Sequence, residues 1–360
     1  MANYSKHKVA SIIENREGLT KIRLSDGSRA YNIIQNCGEV AIGDEVIVNT
    51  TAVDLNLGTG GWHFVLWNLK YDSLSTKSSG HIMKLRYSAL QFESGVAEEF
   101  NGYTTQDNIS GCSVIAAPLF SQVAPIATFI KNKNSKLKIA LAISDSASLP
   151  LAISDLMIRL KELDLVDTSI TFGQAYGGDI EAINIFTALL SARHIANADI
   201  VIVTMGPGIV GTGTQFGYSG IDVAYHLDSA KSLEAKTYGV LRASSADPRE
   251  RHQGISHHSI TTFSKATHEK HNLGLIDNDE KYTKIMRDQL EKARIYSSHN
   301  VVEVQSIGII KMMQDIQLEV SSMGRPADQD ELFFESACAS AQLAIADLKK
   351  KKILMTTKVE

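Results

Sequence analysis

Hydrophobic and polar positions alternate in short runs along the first part of the chain. From His7 to Leu69 these runs are rich in β-branched and aromatic residues, and turn signals containing glycine separate them. The alternation predicts a small all-β module over residues 1–72, a barrel or sandwich that closes or covers its strand edges. The segment 73–80 then consists largely of Ser, Thr and Lys, and we predict a linker there.

Beyond the linker the hydrophobic period changes, because apolar runs of strand length alternate with stretches of helix length. The predicted strands are 112–117, 137–143, 168–173, 198–205, 237–243, 300–305 and 318–322. The predicted helices are 119–132, 149–163, 179–196, 219–233, 281–296, 306–315 and 329–349. This order predicts an α/β domain over 81–350, with a mostly parallel, doubly wound sheet between two layers of helices. Asp328 and Glu331 have the spacing of a capping box for the last helix, and a charged tail is predicted at 351–360.

Composition and charge narrow the class of protein. The chain has 360 residues, of which 44% are hydrophobic, enough for two domains with buried cores. Its formal net charge of −4 lacks the basic excess of a general nucleic-acid binder, so no nucleic-acid partner is expected. No apolar run approaches the roughly 20 residues that span a bilayer. With no secretory signal in the first residues and three widely spaced cysteines, we expect a cytoplasmic protein without membrane contact or disulfides.

Ligands of doubly wound sheets bind where the strands end, so the segments after each strand carry the candidate chemistry. The segment GPGIVGTGT, residues 206–214, follows the strand 198–205 and satisfies GxGxxG. Such glycines let backbone N–H groups approach an anion. The delayed helix argues against a dinucleotide site, and no P-loop lysine is present. The segment is predicted either to bind a small anion or only to form a tight turn. The candidate ligand-binding residues are Gly206, Gly208, Gly211, Thr212, Gly213 and Thr214.

Residues 242–258 concentrate arginine and histidine after the strand 237–243. Arginine binds planar oxyanions bidentately, and histidine titrates near neutral pH. Asp247, Pro248 and Glu250 also have the spacing of a helix start, so part of the segment could serve only to begin a helical turn. We predict that Arg249 and Arg251 bind the anion. The candidate catalytic residues of this segment, each an acid, a base or a ligand, are His252, His257 and His258.

The same histidines are candidate metal ligands, and Asp145, Asp179 or Asp247 could complete a site with them. No spacing such as HExxH supports a metal, since His268 and His271 have their glutamate misplaced for a zincin. The identity of any metal or cofactor therefore stays open at this point.

Two other strand ends carry candidate residues. Asp145 follows the strand 137–143 and could act as a base, as a ligand or in a turn. The segment GQAYGGD follows the strand 168–173 and offers Gly177, Gly178 and Asp179 as ligand-binding residues. We expect these residues to line a common cleft with the glycine-rich and Arg/His-rich segments.

Three motifs taken together, GPGIVGTGT, DPRERHQGISHH and GHIMKLRY, make the sequence resemble a bacterial family known as domain-of-unknown-function family 3866. The resemblance extends over nearly the whole chain, including the β module. It implies a cytoplasmic bacterial protein, and it carries no established activity, substrate or catalytic residue.

Two functional hypotheses follow from these residues. The first is an enzyme that acts on a small metabolite bearing a phosphate or carboxylate, since several titratable side chains are expected at one sheet edge. The alternative is a noncatalytic sensor that binds a similar ligand and transmits its occupancy through the β module. The expected partner is a small anionic ligand in both cases, and a homo-oligomer stays open.

Overall fold

A closed five-stranded barrel forms the first part of the chain in the computed structural model, which describes residues 2–75, 80–100, 103–145, 150–277 and 279–356. Its strands are β1 (Tyr4–Arg16), β2 (Leu19–Leu24), β3 (Arg29–Ile33), β4 (Glu45–Asn49) and β5 (Trp62–Asn68). The order is β1-β2-β3-β5-β4, and β4 closes the barrel on β1. The contact between β3 and β5 is parallel, whereas the others are antiparallel. This arrangement is typical of the OB-fold, a small five-stranded barrel, and it confirms the predicted β module.

The barrel core consists of the inward-pointing residues of the alternating pattern, among them Val9, Ile22, Val46 and Val48. Two helical turns, Ile34–Cys37 and Thr51–Asp54, connect its strands and were absent from the sequence prediction. Each is one turn long, too short for helical periodicity to appear in the sequence.

An eight-stranded, all-parallel sheet forms the second part, as predicted. Its strands are β6 (Ser113–Ala117), β7 (Ile139–Ser144), β8 (Thr168–Phe172), β9 (Ile180–Ala182), β10 (Ile200–Met205), β11 (Lys236–Gly239), β12 (Asn272–Asp277) and β13 (Asn300–Gln305). Their order is β9-β8-β7-β10-β6-β11-β12-β13. The central strands β6, β7 and β10 are buried at every position, because helices cover both faces of the sheet.

Helices cover the sheet in two layers. They are α1 (Val123–Lys133), α2 (Asp155–Glu162), α3 (Ile185–His194), α4 (Asp222–Ser232), α5 (Glu280–Lys292), α6 (Ile309–Asp315) and α7 (Glu331–Thr356). The apolar side chains of α1, α2, α6 and most of α7 pack in one core cluster. Those of α3, α4 and α5 pack in a second cluster on the opposite face.

The connections of the sheet define a topological switch point at its centre. Strands β6 and β10 are neighbours, but β6 leads through α1 to β7 on one side, and β10 leads through α4 to β11 on the other. In open α/β sheets the ligand crevice lies outside the carboxyl ends of two such strands. The fold therefore directs attention to the segments that follow β6, β10 and β11.

Four details of the sequence prediction are wrong. The segment 318–322 contributes no strand to the sheet; Ser321–Ser322 instead pairs with Arg325–Pro326 in a small hairpin. The strand β12 was missed, and β9 lies inside the predicted helix 179–196. The predicted capping position Asp328 lies in a 3-10 turn, and α7 begins at Glu331.

A glycine inside β12 partly explains why this strand was not predicted. A Cβ atom on Gly274 would lie 2.4 Å from the backbone carbonyl carbon of Ala339 in α7. The helix backbone therefore packs directly on the strand, which requires glycine where a strand pattern would have a large apolar residue.

The barrel contacts the sheet domain near α2 and the β8–β9 end of the sheet. Arg16 and Lys21 both reach Asp155 of α2, with N–O distances of 2.6 Å and 2.8 Å. The hydroxyl of Tyr176 lies 2.8 Å from the side-chain oxygen of Asn36. The barrel thus meets the domain at a different place from the ends of β6, β10 and β11.

Candidate functional site

Three histidines that the sequence singled out form a cluster beyond the end of β11. The hairpin Ala243–Ser244 with Gly254–Ile255 reverses the chain, so that His252 of a 3-10 turn returns beside the helical turn His257–Thr261. The ring centroids of His257 and His258 are 4.2 Å apart, and His252 lies 5.0 Å and 5.1 Å from them. One nitrogen from each ring can be chosen so that all three lie within 4.8 Å of one another.

Three of the six ring nitrogens in this histidine cluster have no hydrogen-bond partner among the described residues. His252 Nδ1 shares a 2.7 Å hydrogen bond with Ser256 Oγ, which also accepts from the backbone N–H of His258. Among the described residues, both ring nitrogens of His258 and Nε2 of His257 are buried without a hydrogen bond. Buried polar atoms in proteins are normally hydrogen-bonded, so these nitrogens need an explanation.

The surroundings keep the three imidazoles neutral. Burial, together with Arg242 and Arg249, lowers the pKa of His252 to about 3. Burial, His257 and Arg242 lower the pKa of His258 to about 3. The pKa of His257 is lowered by burial and then by Arg251. At neutral pH each ring therefore has a nitrogen lone pair that can accept a proton or bind a metal.

A buried carboxylate, Asp247, organises the arginines beside the histidine cluster. It accepts from Arg249 at 2.9 Å and 2.8 Å and from Arg242 at 3.3 Å, and Arg325 lies 3.6 Å away. Burial alone would raise the pKa of Asp247, but hydrogen bonds from Arg249 hold that pKa well below its usual range. Asp247 is therefore a constant negative charge that positions arginines.

The two predicted anion-binding arginines differ in this structure. Arg249 is clamped on Asp247, although 43% of its side chain remains exposed. Arg251 is exposed, and within the described ranges no hydrogen bond or ion pair involves its guanidinium. Its charge acts on His257 and His258. Arg251 is thus the better placed of the two to meet a ligand at the histidines.

The glycine-rich segment folds back on itself as a hairpin instead of leading directly into a helix. Gly211 forms a bridge with Tyr218, and Thr212 N–H donates to Gly217 O at 2.8 Å. Val210 N–H donates to Ser219 Oγ, and α4 begins at Asp222. The backbone N–H groups of Val210 and Thr212 are therefore occupied within the hairpin. Thr212 and Thr214 bond each other at its exposed tip. Gly206 and Gly208 precede the bridge in the chain, and Gly213 lies between the two threonines. The φ angle is positive at Gly208 and Gly213.

This glycine hairpin lies against the histidine cluster. A Cβ atom on Gly211 would be 3.3 Å from Tyr218 Cβ and 3.4 Å from His258 Cε1. The ring of Tyr218 stacks on that of His258, with centroids 4.0 Å apart and planes at 5°. Its hydroxyl donates to His258 O at 2.8 Å. The structure thus brings the glycine-rich and Arg/His-rich segments together, 40 residues apart in sequence.

A small cavity of about 10 Å³ lies between these elements. It is lined by residues that follow β6, β10 and β11, among them Pro118, Ile209, Arg242 and His258. Its size suits a single water molecule. The histidine cluster therefore adjoins the switch point of the sheet.

Asp145 lies away from the histidine cluster. Its carboxylate accepts from Gln174 N at 3.0 Å and lines an open cleft of about 830 Å³ with Arg86 and Tyr87. The strands β10 and β6 separate β7, which precedes Asp145, from β11. The neighbouring Ser146, Ala147 and Ser148 fall outside the described residues.

Gly177, Gly178 and Asp179 also lie away from the histidine cluster, so the prediction of a common cleft is wrong for them. Asp179 accepts from Ser169 N and Oγ, both at 2.8 Å, and pairs with Lys161. Because β9 runs parallel to β8, Asp179 stands beside the amino end of β8, at the opposite edge of the sheet. Gly177 donates to Glu181, and Gly178 packs against Thr171. These residues build the connection between two strands.

Three residues near the histidine cluster were missed as site residues. Tyr218 stacks on His258, and Asp330 bonds Ser244 Oγ at 2.6 Å and Arg325 at 3.1 Å. The segment containing Arg325 does follow the predicted strand 318–322, which was a usable signal. Tyr218 and Asp330 carry no local signal, because their partners are distant in sequence.

Fold and site together define a two-part protein, in which a five-stranded barrel precedes a doubly wound α/β domain with a histidine cluster at its switch point. The chain belongs to the family described as "Protein of unknown function (DUF3866)", whose model matches residues 29–341. This confirms the family resemblance. No curated protein matches the sequence. None of the described helices combines the length and apolar character required to cross a membrane.

Proposed function

We propose that the protein is an enzyme that acts on a small anionic metabolite at the switch-point edge of the sheet. The observation that carries this proposal is the cluster of neutral His252, His257 and His258, with unpartnered buried nitrogens beside an exposed arginine. Buried nitrogens without a hydrogen bond destabilise a fold unless a ligand binds them, and clusters of titratable groups of this kind are common at functional sites. The phosphate or carboxylate of the substrate supplies the charge that Arg251 recognises.

The residues of the site take distinct roles in this proposal. Arg251 binds the anionic group of the substrate, and Arg249, held by Asp247, adds positive charge at the rim. The histidine cluster supplies the reactive group, as an acid, a base or a metal ligand. The N–H groups of Gly211 and Gly213 are proposed as further donors to the anion, since those of Val210 and Thr212 are engaged within the hairpin.

We place the protein in the cytoplasm as part of this proposal. Cys37, Cys112 and Cys338 are all buried, and no disulfide joins any two of them. Proteins of oxidising compartments commonly pair their cysteines, whereas reducing compartments keep them as thiols.

Ligand-dependent stabilisation of the protein, measured both before and after treatment with a chelator, tests the proposal. Inorganic phosphate, a sugar phosphate and a dicarboxylate are each titrated while the melting temperature is measured. A ligand at 100 times its Kd stabilises the native state by about 2.7 kcal/mol. Arg251→Ala removes charge-assisted bonds, so we expect roughly 10- to 150-fold weaker binding. Arg23→Ala removes an exposed arginine of the barrel and should bind like the parent protein.

Two outcomes contradict the proposal. If no anion raises the melting temperature, or if Arg251→Ala binds as tightly as the parent, anion recognition at this edge is wrong. If a ligand binds, but NMR shows it chemically unchanged after long incubation with protein to which metal ions have been added, the protein is a noncatalytic sensor and not an enzyme.

A further inference from the structure

We propose that His252, His257 and His258 bind one divalent transition-metal ion, with Zn²⁺ as the first candidate, and leave one coordination position open. The proposal stands on the convergence of three imidazoles whose selected nitrogens all lie within 4.8 Å of one another. It rests on the proposed function only for the identity of the fourth ligand, the anionic substrate. The three protein ligands alone define the site.

The distances suit a site that closes slightly on its metal. Imidazole nitrogens lie about 2.0–2.1 Å from Zn²⁺, so the nitrogens of a tetrahedral site are about 3.3 Å apart. The cluster is wider than this by up to about 1.5 Å. Small rotations of the rings cover the difference, and His257, which is less completely buried than His252, has more freedom to move.

Neighbouring side chains already hold two of the rings in place. Ser256 Oγ engages Nδ1 of His252, which leaves Nε2 as the ligating nitrogen. The face of Tyr218 fixes the plane of His258. Metal-binding histidines commonly have their second nitrogen or their ring fixed in this way, because orientation of the ligand raises affinity.

The other buried histidine pair of the same domain shows what a structural role looks like. His271 bonds Thr237 Oγ1 at 2.9 Å through Nδ1 and Asp228 at 2.9 Å through Nε2. His299 bonds Phe263 O at 2.7 Å through Nε2 and accepts from His271 N. Every ring nitrogen of that pair has a protein partner. Three ring nitrogens of the histidine cluster lack such partners among the described residues. One bound metal would bond Nε2 of His257 and one nitrogen of His258.

The donor set selects the class of metal. Imidazole suits zinc, iron, copper and nickel, whereas Mg²⁺ and Ca²⁺ prefer oxygen ligands. The buried carboxylate of Asp247 is engaged by Arg242 and Arg249. Three protein ligands with an open position are typical of catalytic zinc. The nearby arginines favour an anion as the fourth ligand.

Metal titration of the full chain tests the proposal without any metabolite. Protein stripped with a chelator is titrated with ZnCl₂ alone by calorimetry, and CoCl₂ is added separately for its visible absorption. We expect one equivalent of Zn²⁺ and an intense Co²⁺ spectrum typical of a four-coordinate site. His257→Ala should weaken Zn²⁺ binding roughly 100-fold or more. Ser256→Ala, which frees the ring of His252, should weaken it roughly 10- to 100-fold.

The control variant is His268→Ala, because His268 is an exposed histidine elsewhere on the domain. It should bind Zn²⁺ like the parent protein. The proposal is overturned if the parent takes up well under one equivalent, or if His257→Ala binds Zn²⁺ as tightly as His268→Ala. The Co²⁺ spectrum of the parent decides the matter even if a variant fails to fold.

The two proposals fail separately. Zn²⁺ binding by a protein that no anion stabilises supports the metal site and contradicts the proposed function. Anion binding by the stripped protein, with no uptake of Zn²⁺ or Co²⁺, supports anion recognition and overturns the metal site.

Discussion

The α/β domain buries two polar clusters that differ in how completely their atoms are partnered. One is the ion pair of Lys84 and Glu181 near β9, and the other is the histidine cluster beyond β11. Lys84 is 1% exposed, and its ammonium group donates to Ala175 O at 2.8 Å and Ala182 O at 3.4 Å. It also lies 3.1 Å from Oε2 of Glu181, which has this ion pair but no hydrogen bond to a described residue, while Oε1 of Glu181 accepts from Gly177 N.

The histidine cluster differs, since the ring nitrogens of His258 and Nε2 of His257 have neither a hydrogen bond nor an ion pair with any described residue. A buried polar group whose hydrogen bonds or ion pairs are formed contributes to a unique fold. A buried polar group without such partners costs free energy until a ligand binds to it. The difference teaches that the bonds a residue makes, and not its burial or charge, separate the structural cluster from the candidate site.

We expect the largest loss of stability when the lysine of the ion pair is replaced. Burial lowers the pKa of Lys84 and raises the pKa of Glu181, while their mutual attraction opposes both shifts. Lys84→Met leaves the carboxylate without its cation, so we expect the free energy of unfolding to fall by about 3–5 kcal/mol. Urea denaturation followed by circular dichroism measures it. The double variant Lys84→Met/Glu181→Gln should recover part of the loss; without recovery, the ion pair is not the cause.

An intermediate effect is expected at His226 of α4, a buried histidine outside the cluster. Burial lowers its pKa to about 4, below the value of about 6.5 in the unfolded chain. The folded state therefore resists protonation, and stability that is complete above pH 6.5 is lost as the pH falls toward 4. The loss is about 3 kcal/mol.

Urea denaturation at pH 7.5 and at pH 4 measures this loss in the parent protein and in His226→Phe, which keeps an aromatic ring against Phe172. The variant should lose less stability on acidification by about the same amount. An equal dependence on pH in both proteins would show that His226 titrates normally in the fold.

We expect the smallest change in stability at the histidine cluster itself. This result tests most directly the difference between the cluster and the Lys84–Glu181 pair. His257→Ala removes a ring whose Nε2 bonds no described residue, so in metal-free protein the free energy of unfolding should change by less than about 1 kcal/mol. The same denaturation experiment measures it beside Lys84→Met. If His257→Ala lowers the free energy of unfolding as much as Lys84→Met does, His257 has a structural role and the two clusters do not differ.

Local patterns along the chain were sufficient for much of the fold. The period of two predicted the barrel strands, and fully apolar runs such as IVIV at 200–203 predicted central strands of a parallel sheet. The histidines were recognisable for a similar reason, because His252, His257 and His258 crowd into seven residues. Features of this kind depend on neighbours in sequence.

Errors arose where a long-range contact outweighed the local pattern. The carboxylate of Asp179 follows a predicted strand, yet the parallel pairing of β9 with β8 carries it to Ser169 at the opposite edge. Gly274 weakened the strand pattern of β12 because α7 packs on its backbone. The glycines of 206–214 predicted an anion site or a tight turn, and the bridge between Gly211 and Tyr218 makes the segment a hairpin.

The sequence by itself determined the two-part architecture and the presence of arginine and histidine at the end of β11, since periodicity and residue type are properties of adjacent positions. Tertiary structure alone decided that Arg249 is held by Asp247 while Arg251 is exposed. It also decided that His258 meets Tyr218 while its ring nitrogens bond no described residue. Hydrogen-bond partners are set by distances of about 3 Å between atoms, and such distances between remote segments exist only once the chain has folded.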